Sequence, residues 1–511
     1  MNGRHDLSMP ELNCEACKAT WTAGVDDLIR SDYWPATLHS ATVYATEILF
    51  SFEEMKMVAP GLSCQAFLTM SALAVLGRSL QTASKKVFLS GKLCNICKEE
   101  PFICPACTPN MLAVSVDGNR KHYRFKNASR SEEQAIFQGV FIAKDEDVAT
   151  FVDHIHRTSK HVSGRGVCGG EWSAARETSQ RSTSKVDEEG LELAVCRHGV
   201  LLRALNMYRG EMFAYPLYLQ EKLASRQITF FCMDVTCKYW PYLQKVAKSC
   251  PELQPLLSMK PFLSVFHAKA HDFKCEVKWS GAYQEGAGLT LGEEVEQCNA
   301  FLSRIAVTTK HMSKAGHTDM LTLLAMRWNQ QKFDNLATSL SHRYHKTIKS
   351  LQSKQQNLES MKAQLAVTES HLEDWVSDVK EWAEDSVDLR TKRKAFDIIM
   401  AVRRLEEEKN ILVLEMDHHW KWLSTRAKTS QELSSLLSSE TVKNWPCGFS
   451  EEGLKGLQSI ILRKQQNIRE KKMQARDCYL RLLSGETAEN MSFLHKLDDS
   501  DSDSDSSDDA L

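Results

Sequence analysis

No run of about 18 charge-free apolar residues occurs in this chain, and its opening stretch, MNGRHDLSMPELNC, carries no hydrophobic segment. The first absence excludes a membrane-spanning helix on hydropathy and the second excludes a secretory signal. Together they predict a soluble intracellular protein with no membrane partner. In such a compartment the 16 cysteines read as reduced thiols or metal ligands, not as a disulfide framework. Glycine and proline are absent between residue 318 and Pro446, which predicts long helices there. The last segment, DDSDSDSDSSDDAL, lacks any base and has too little apolar surface to bury. Setting aside its seven Asp turns the net charge of −2 into +5 for residues 1–497. This tail is expected to be disordered and to act as a solubiliser or an intramolecular shield for a basic surface. Its acid-flanked serines suit phosphorylation.

What is present is enough for packed cores: 42% of the 511 residues are hydrophobic, and the length suits about three domains. Residues 1–110 are rich in Cys-x-x-Cys pairs and show helical patterns around 38–57 and 64–83. MLAVSVDGNRKHYRF reads as two strands turning at Asp117-Gly118-Asn119, a sequence suited to positive φ. Further on, LELAVCRHGVLL reads as a strand, EMFAYPLYLQEKLA as a helix, and ITFFCMD and FLSVF as strands. This mixture predicts an α/β core over residues 111–317. A ladder of Tyr344, Leu351, Leu358, Leu365, Leu372 and Val379 follows at seven-residue spacing, within a helical or coiled-coil region spanning 318–490. One clean seam favours packing against a helix near 395–425 over a parallel zipper, although self-association through this region stays open. Residues 491–511 form the acidic tail.

The acids pose the sharper question. ITFFCMD starts apolar and ends on Asp234, and MLAVSVD ends likewise on Asp117. Asp234 could cap a helix beginning at Thr236. Glu293, Glu294 and Glu296, in GLTLGEEVEQ, could simply complement the dipole of a helix start. Gathered in space, two strand-end aspartates and a helical glutamate would instead hold two hard divalent cations, Mg²⁺ or Mn²⁺, for phosphodiester chemistry.

Paired Cys-x-x-Cys motifs point to structural Zn²⁺, because four thiolates complete a tetrahedron. Cys94/Cys97 and Cys104/Cys107 are six residues apart, a short interval, so Cys14/Cys17 could partner either pair; buried thiols are the alternative. A second cluster comprises Cys237, His267, His271 and Cys275. On one straight helix Cys275 would lie about 12 Å from His267, so two of these three plus Cys237, with Cys196 or His198, are the workable set. Structural histidines are the alternative. Arg120, Lys121, Arg124, Lys126, Arg304 and Lys310, with Tyr123 and Trp279, are candidates for DNA contact. RTKRK at 390–394 is a candidate nuclear-import signal.

From DYWPAT at residue 32 to TTKHMSKAGHTDML, the chain resembles the Kyakuja–Dileera–Zisupton (KDZ) transposases. The resemblance rests on an ordered series: CPAC, VSVDGNRKHYRF, CGGEWSAARE, CRHG with NMYRGE, MDVTCKYWPYL, HAKAH and EGAGLTLGEEVEQ. It implies an RNase H-like core at 111–317 with a DDE acid triad, hence a DNA transposase acting in the nucleus. The aspartate of D-G-N is then Asp117 and that of D-x-x-C is Asp234. The third acid is Glu293 or Glu296, with Glu296 preferred as the deeper in its helix. Little chain precedes Cys14, leaving no room for a separate upstream DNA-binding domain, which fits a truncated or domesticated copy. A non-catalytic DNA- or chromatin-binding protein is therefore the competing expectation. A zinc-scaffolded coiled-coil adaptor is a third, and it leaves the acids unexplained.

Overall fold

The computed structural model describes residues 101–128, 134–135, 137–159, 185–271, 273–382, 390–438 and 451–483. Earlier in the chain it describes Met55 and the strands Glu11–Asn13, Thr20–Thr22, Tyr33–Pro35 and Val43–Ala45, which pair antiparallel as first with second and third with fourth. The chain divides into two compact units. One joins Met1–Glu100 to Arg426–Arg469, and the other joins Pro101–Thr425 to Glu470–Leu511.

A five-stranded mixed sheet organises the second unit. In chain order its strands are β1 (Ala113–Asn119), β2 (Gly190–Cys196), β3 (Leu201–Met207), β4 (Phe230–Met233) and β5 (Lys260–Leu263). Across the sheet they run β5-β4-β1-β2-β3. β1, β2 and β3 are antiparallel neighbours, and β4 and β5 extend the other edge in parallel. Every residue of β2 is buried, as an unbroken apolar run requires when both faces of a strand are covered.

One face of the sheet carries α1 (Asp145–Thr158), α2 (Ala214–Leu223) and α3 (Thr236–Ser249). Val148, Val152 and Ile155 of α1, and Tyr239, Leu243 and Val246 of α3, recur at i, i+4 and i+7, so each helix buries one stripe. They meet Val114 and Val116 of β1, Leu202 and Leu205 of β3, and Phe231 of β4 in one core. Burying each such aliphatic side chain stabilises the fold by about 1.5–3 kcal/mol. The opposite face bears Ala113, Phe230, Cys232 and Phe262, packed with Ala287. Because side chains alternate along a strand, Asp117 shares this second face with Ala113 and Ser115. The short helices α4 (Val265–Ala268) and α5 (Phe273–Trp279) follow β5, and α6 (Glu294–Leu302) packs on β1 and β2.

Long helices complete the unit: α7 (Lys314–Asp334), α8 (Leu336–Leu365) and α9 (Glu369–Trp382). They are followed by α10 (Arg390–Ser438) and α11 (Glu451–Leu483), each of which passes from one unit to the other. The seven-residue ladder is broken at Ala366, where φ is +50° and the helix ends. Leu358, Leu372 and Val379 nevertheless share a cluster with Phe396, Ile399 and Met400 of α10, so this seam is filled within the chain. Among the described residues no helix is long and apolar enough to cross a membrane.

Three local expectations change. β1 runs straight through Asp117-Gly118-Asn119, which pair with Leu193, Glu192 and Leu191, so this is no hairpin turn. LELAVCRHGVLL is two strands with a turn between, because Arg197 and His198 are polar and Gly199 takes φ +75°. FLSVF is split, with β5 ending at Leu263 and a helix beginning at Val265. The predicted helices at 38–57 and 64–83 and the acidic tail lie outside the described residues, apart from Val43–Ala45, which is a strand, and Met55.

Candidate functional site

The acids gather on the second face of the sheet. In the β1–β4 pairing, Phe230 is opposite Ala113 and Cys232 opposite Ser115. The same offset, carried two residues on, brings Asp234, in the turn just after β4, toward Asp117, whose carboxyl feels its charge. Asp234 does not cap α3: the cap residue is Val235, with no side-chain cap bond, and the Thr236 hydroxyl bonds to Met233 O and Phe262 O. Its carboxylate instead accepts from Ser264 Oγ at 2.8 Å and lies 3.4 Å from Nδ1 of His267. The other ring nitrogen of His267 is 3.6 Å from Oε1 of Glu296. Ligand atoms of Asp234, His267 and Glu296 thus lie within 4.8 Å of one another.

Asp117 is held from α6, where Asn299, one turn after Glu296, donates to Oδ2 at 2.8 Å. Burial, with the nearby charges of Asp234 and Glu296, pushes the Asp117 carboxyl up to about 8. Such mutual repulsion is what a polycarboxylate cation site shows when no ion is bound. Of the two glutamates considered for the third acid, Glu296 faces the cluster. Glu293 is the residue before α6, and its Oε1 accepts the Phe266 backbone N–H, fixing the start of α4. Glu294 lies deeper, and burial raises its carboxyl. A pocket of about 400 Å³ opens here, lined by Phe266, His267, Leu291, Glu293, Glu296 and Gln297 among others.

Sequence reasoning missed a further buried acid, Glu192, on the opposite face of the sheet from Asp117. It lies opposite Gly118, where a Cβ would come within 3.0 Å of its Oε2, so glycine leaves room for this carboxyl. Burial, then Asp117 and Glu211, hold it well above the usual carboxylate range. The available signal was a lone acid inside the apolar strand GLELAVC.

A separate Cys/His centre forms at the opposite end of β2. Cys104, Cys107, Cys196 and His198 bring one ligand atom each to within 4.8 Å of the others. His198 Nδ1 lies 3.5 Å from Cys104 Sγ and 3.2 Å from Cys107 Sγ. Its Nε2 is 3.0 Å from Glu415 of α10. Burial pushes the Cys104 thiol up. Burial also opposes ionisation of Cys196, but hydrogen bonds from Cys104, Cys107 and His198 hold that thiol well below its ordinary value. Three thiols and an imidazole whose second nitrogen meets a carboxylate form a donor set compatible with a structural metal such as zinc. The turn at Gly199 brings Cys196 and His198 to Cys104 and Cys107. Cys14, Cys17, Cys94 and Cys97 lie outside the described residues.

The second predicted cluster divides. Cys237, His271 and Cys275 come together, with Cys237 Sγ 3.5 Å from His271 Nδ1. His267 leaves them for the acids because residues 267–275 are not one helix: α4 ends at Ala268 and α5 begins at Phe273. Among the candidate DNA contacts, Arg120, Lys121, Lys126 and Arg304 are exposed. Lys310 sits over the Tyr123 ring, and Lys278 over that of Trp279. Arg124 is buried and ion-paired with Asp187 and Glu188, so it is a core residue and not a phosphate contact.

Two stretches of the chain match known families. Residues 110–329, which carry the acids and the Cys/His centre's four ligands apart from Cys104 and Cys107, match the Kyakuja-Dileera-Zisupton transposase profile. Residues 1–74 match the CxC3 like cysteine cluster associated with KDZ transposases. No curated protein and no solved structure gives a significant match. Residues 110–329 are thus a Kyakuja-Dileera-Zisupton transposase domain, with the cysteine cluster associated with such transposases at residues 1–74.

Proposed function

We propose that the chain is a DDE-type DNA transposase with an RNase H-like core, acting in the nucleus on DNA phosphodiesters through Asp117, Asp234 and Glu296. The observation that carries this reading is the convergence of Asp234, His267 and Glu296 beside Asp117, whose carboxyl their charges help to raise. The sheet supports the fold: three antiparallel strands with the first one central, continued by two parallel strands, place β1 and β4 side by side with their acids adjacent. Asp117, Asp234 and Glu296 offer carboxylate oxygen alone, which suits Mg²⁺ or Mn²⁺. Two such ions, when bound, stabilise the attacking and leaving oxygens of a phosphodiester displacement.

The chain's own groups have distinct tasks. Ser264 and Asn299 orient Asp234 and Asp117 by the two 2.8 Å hydrogen bonds. Glu293 anchors α4 and so places His267. The attacking water or 3′-hydroxyl must lose a proton as its oxygen bonds to phosphorus. His267, its ring nitrogens aligned by Asp234 and Glu296, is the group placed to take that proton and return it to the departing oxygen. Exposed Arg120, Lys121, Lys126 and Arg304 flank the β1 and α6 ends of the site, where the flanking phosphates of a DNA strand need cations.

The test is cleavage of DNA by the full chain with Mg²⁺ or Mn²⁺ against the same reaction in chelator. Metal-dependent cleavage is expected. DNA binding without cleavage, under every divalent ion tried, would replace this reading with that of a domesticated DNA- or chromatin-binding protein.

A further inference from the structure

We propose that α10 ties the Cys/His centre to the acidic site, with Glu415 and Glu408 as positioning residues; the proposal rests on the acidic site being a divalent-ion site. The family match ends at residue 329, whereas α10 begins at Arg390, so these carboxylates lie outside the matched domain.

A continuous run of buried polar contacts joins the two places. Glu415 meets His198 Nε2 at 3.0 Å through one oxygen and Arg197 Nε at 3.2 Å through the other. Arg197 is wholly buried, and its far nitrogen reaches Glu408 Oε1 at 2.6 Å, where Arg343 joins at 2.8 Å. The second oxygen of Glu408 accepts the backbone N–H of Leu289 at 2.8 Å. Glu407 accepts those of Gly286 and Gly288 at 3.0 and 3.1 Å, and Arg404 donates to the carbonyl of Gln284. The loop before α6 therefore hangs on one face of α10.

Gly288 allows this close approach. Its φ is +55°, and a Cβ there would lie 2.5 Å from Glu408 Oε2. Beyond the loop, Leu291 O accepts Val265 N–H at 2.9 Å and Glu293 accepts Phe266 N–H. The helix that carries Glu296 thus follows a loop set by Glu407 and Glu408, and the helix that carries His267 is hydrogen-bonded to the end of that loop. A simple structural staple would explain one buried ion pair. It does not explain why the two oxygens of Glu408 serve different segments, one leading to His198 and one to the acidic helix.

The experiment uses the full chain with zinc saturating the Cys/His centre. It reads Mn²⁺ affinity by electron paramagnetic resonance and amide hydrogen exchange at Gly288 and Leu289. Glu408→Gln should keep its zinc, speed exchange at both amides and weaken Mn²⁺ binding about tenfold, within the range of site-to-site couplings. Glu415→Gln touches neither the loop nor the acids, yet it should also speed exchange at Leu289 and weaken Mn²⁺ binding. The double variant should be no worse than Glu408→Gln alone, because both act through Arg197. Parent-like exchange and Mn²⁺ affinity in Glu415→Gln, or additive losses in the double variant, would overturn the proposal. A parent chain that binds no Mn²⁺ would refute the acidic-site reading, while the exchange measurements would still decide the brace.

Discussion

The acidic site and the Cys/His centre share one sheet and differ in almost every physical respect. The Cys/His centre is closed: three buried thiols and a buried imidazole, with Glu415 behind, leave a metal no open position. The acidic site opens to a pocket, with the Asp234 and Glu296 side chains 27% and 51% exposed, and its acids repel one another. Soft donors in a closed shell suit an ion that stays, whereas oxygen donors at an open mouth suit ions that meet a substrate. The comparison teaches that one end of β2 is built for stability, whereas the acids beside its other end are held together at a cost to stability.

The largest effect that could break this contrast is metal removal. We propose that the Cys/His centre holds zinc, so stripping that ion should destabilise the core by several kcal/mol, the buried thiols and His198 losing their shared partner. Chelating Mg²⁺ should leave the melting temperature almost unchanged. Differential scanning calorimetry with a zinc-selective chelator and with one that prefers hard cations separates the two; equal responses would erase the distinction.

The next effect has the opposite sign. Asp117 has a folded-state carboxyl pushed up to about 8, so ionising it costs stability progressively as pH rises from the unfolded value of about 3.9 toward 8. Asp117→Asn removes that cost. In the absence of divalent ions the variant should match the parent near pH 4 and exceed it by about 2–5 kcal/mol at pH 9. Urea unfolding at the two pH values measures the difference, and a variant less stable at pH 9 would contradict the repulsion. Added Mn²⁺ should shrink the advantage, since only the parent keeps the full ligand set.

The smallest effect lies on the surface just beyond the C-terminal end of β1. Arg120→Ala and Lys121→Ala should leave folding unchanged and each reduce the slope of log affinity against log salt for DNA by about one unit. An unchanged slope would move the DNA path elsewhere. Arg124→Ala should instead destabilise the chain, because the buried Glu188 loses its guanidinium partner and keeps only His317 and Tyr208.

Much of the acidic site was legible in sequence because it depends on local grammar. The apolar runs MLAVSVD and ITFFCMD, each closing on an aspartate, announce themselves, as does a glutamate in the first turn of α6. The Cys/His centre was half legible. Cys104 and Cys107 advertise themselves by spacing, but His198 stands 94 residues from Cys104, and only a sheet register could pair them. The brace from α10 was invisible, since Glu407, Glu408 and Glu415 look like ordinary charges of a solvated helix until the loop Gly286–Leu289 is seen resting on them. Period and motif report which face a residue occupies; partners across such distances are chosen by topology.

The central claim is that Asp234 serves a metal site and is not a helix cap, and one substitution addresses it. Asp234→Asn preserves size and hydrogen bonding to Ser264 while removing the charge a divalent ion needs. Mg²⁺-dependent DNA cleavage by Asp234→Asn, measured beside its thermal melting without metal, is predicted to fall by about three orders of magnitude or more while the melting temperature holds or rises. Cleavage at the parent rate by a folded Asp234→Asn chain would contradict the account.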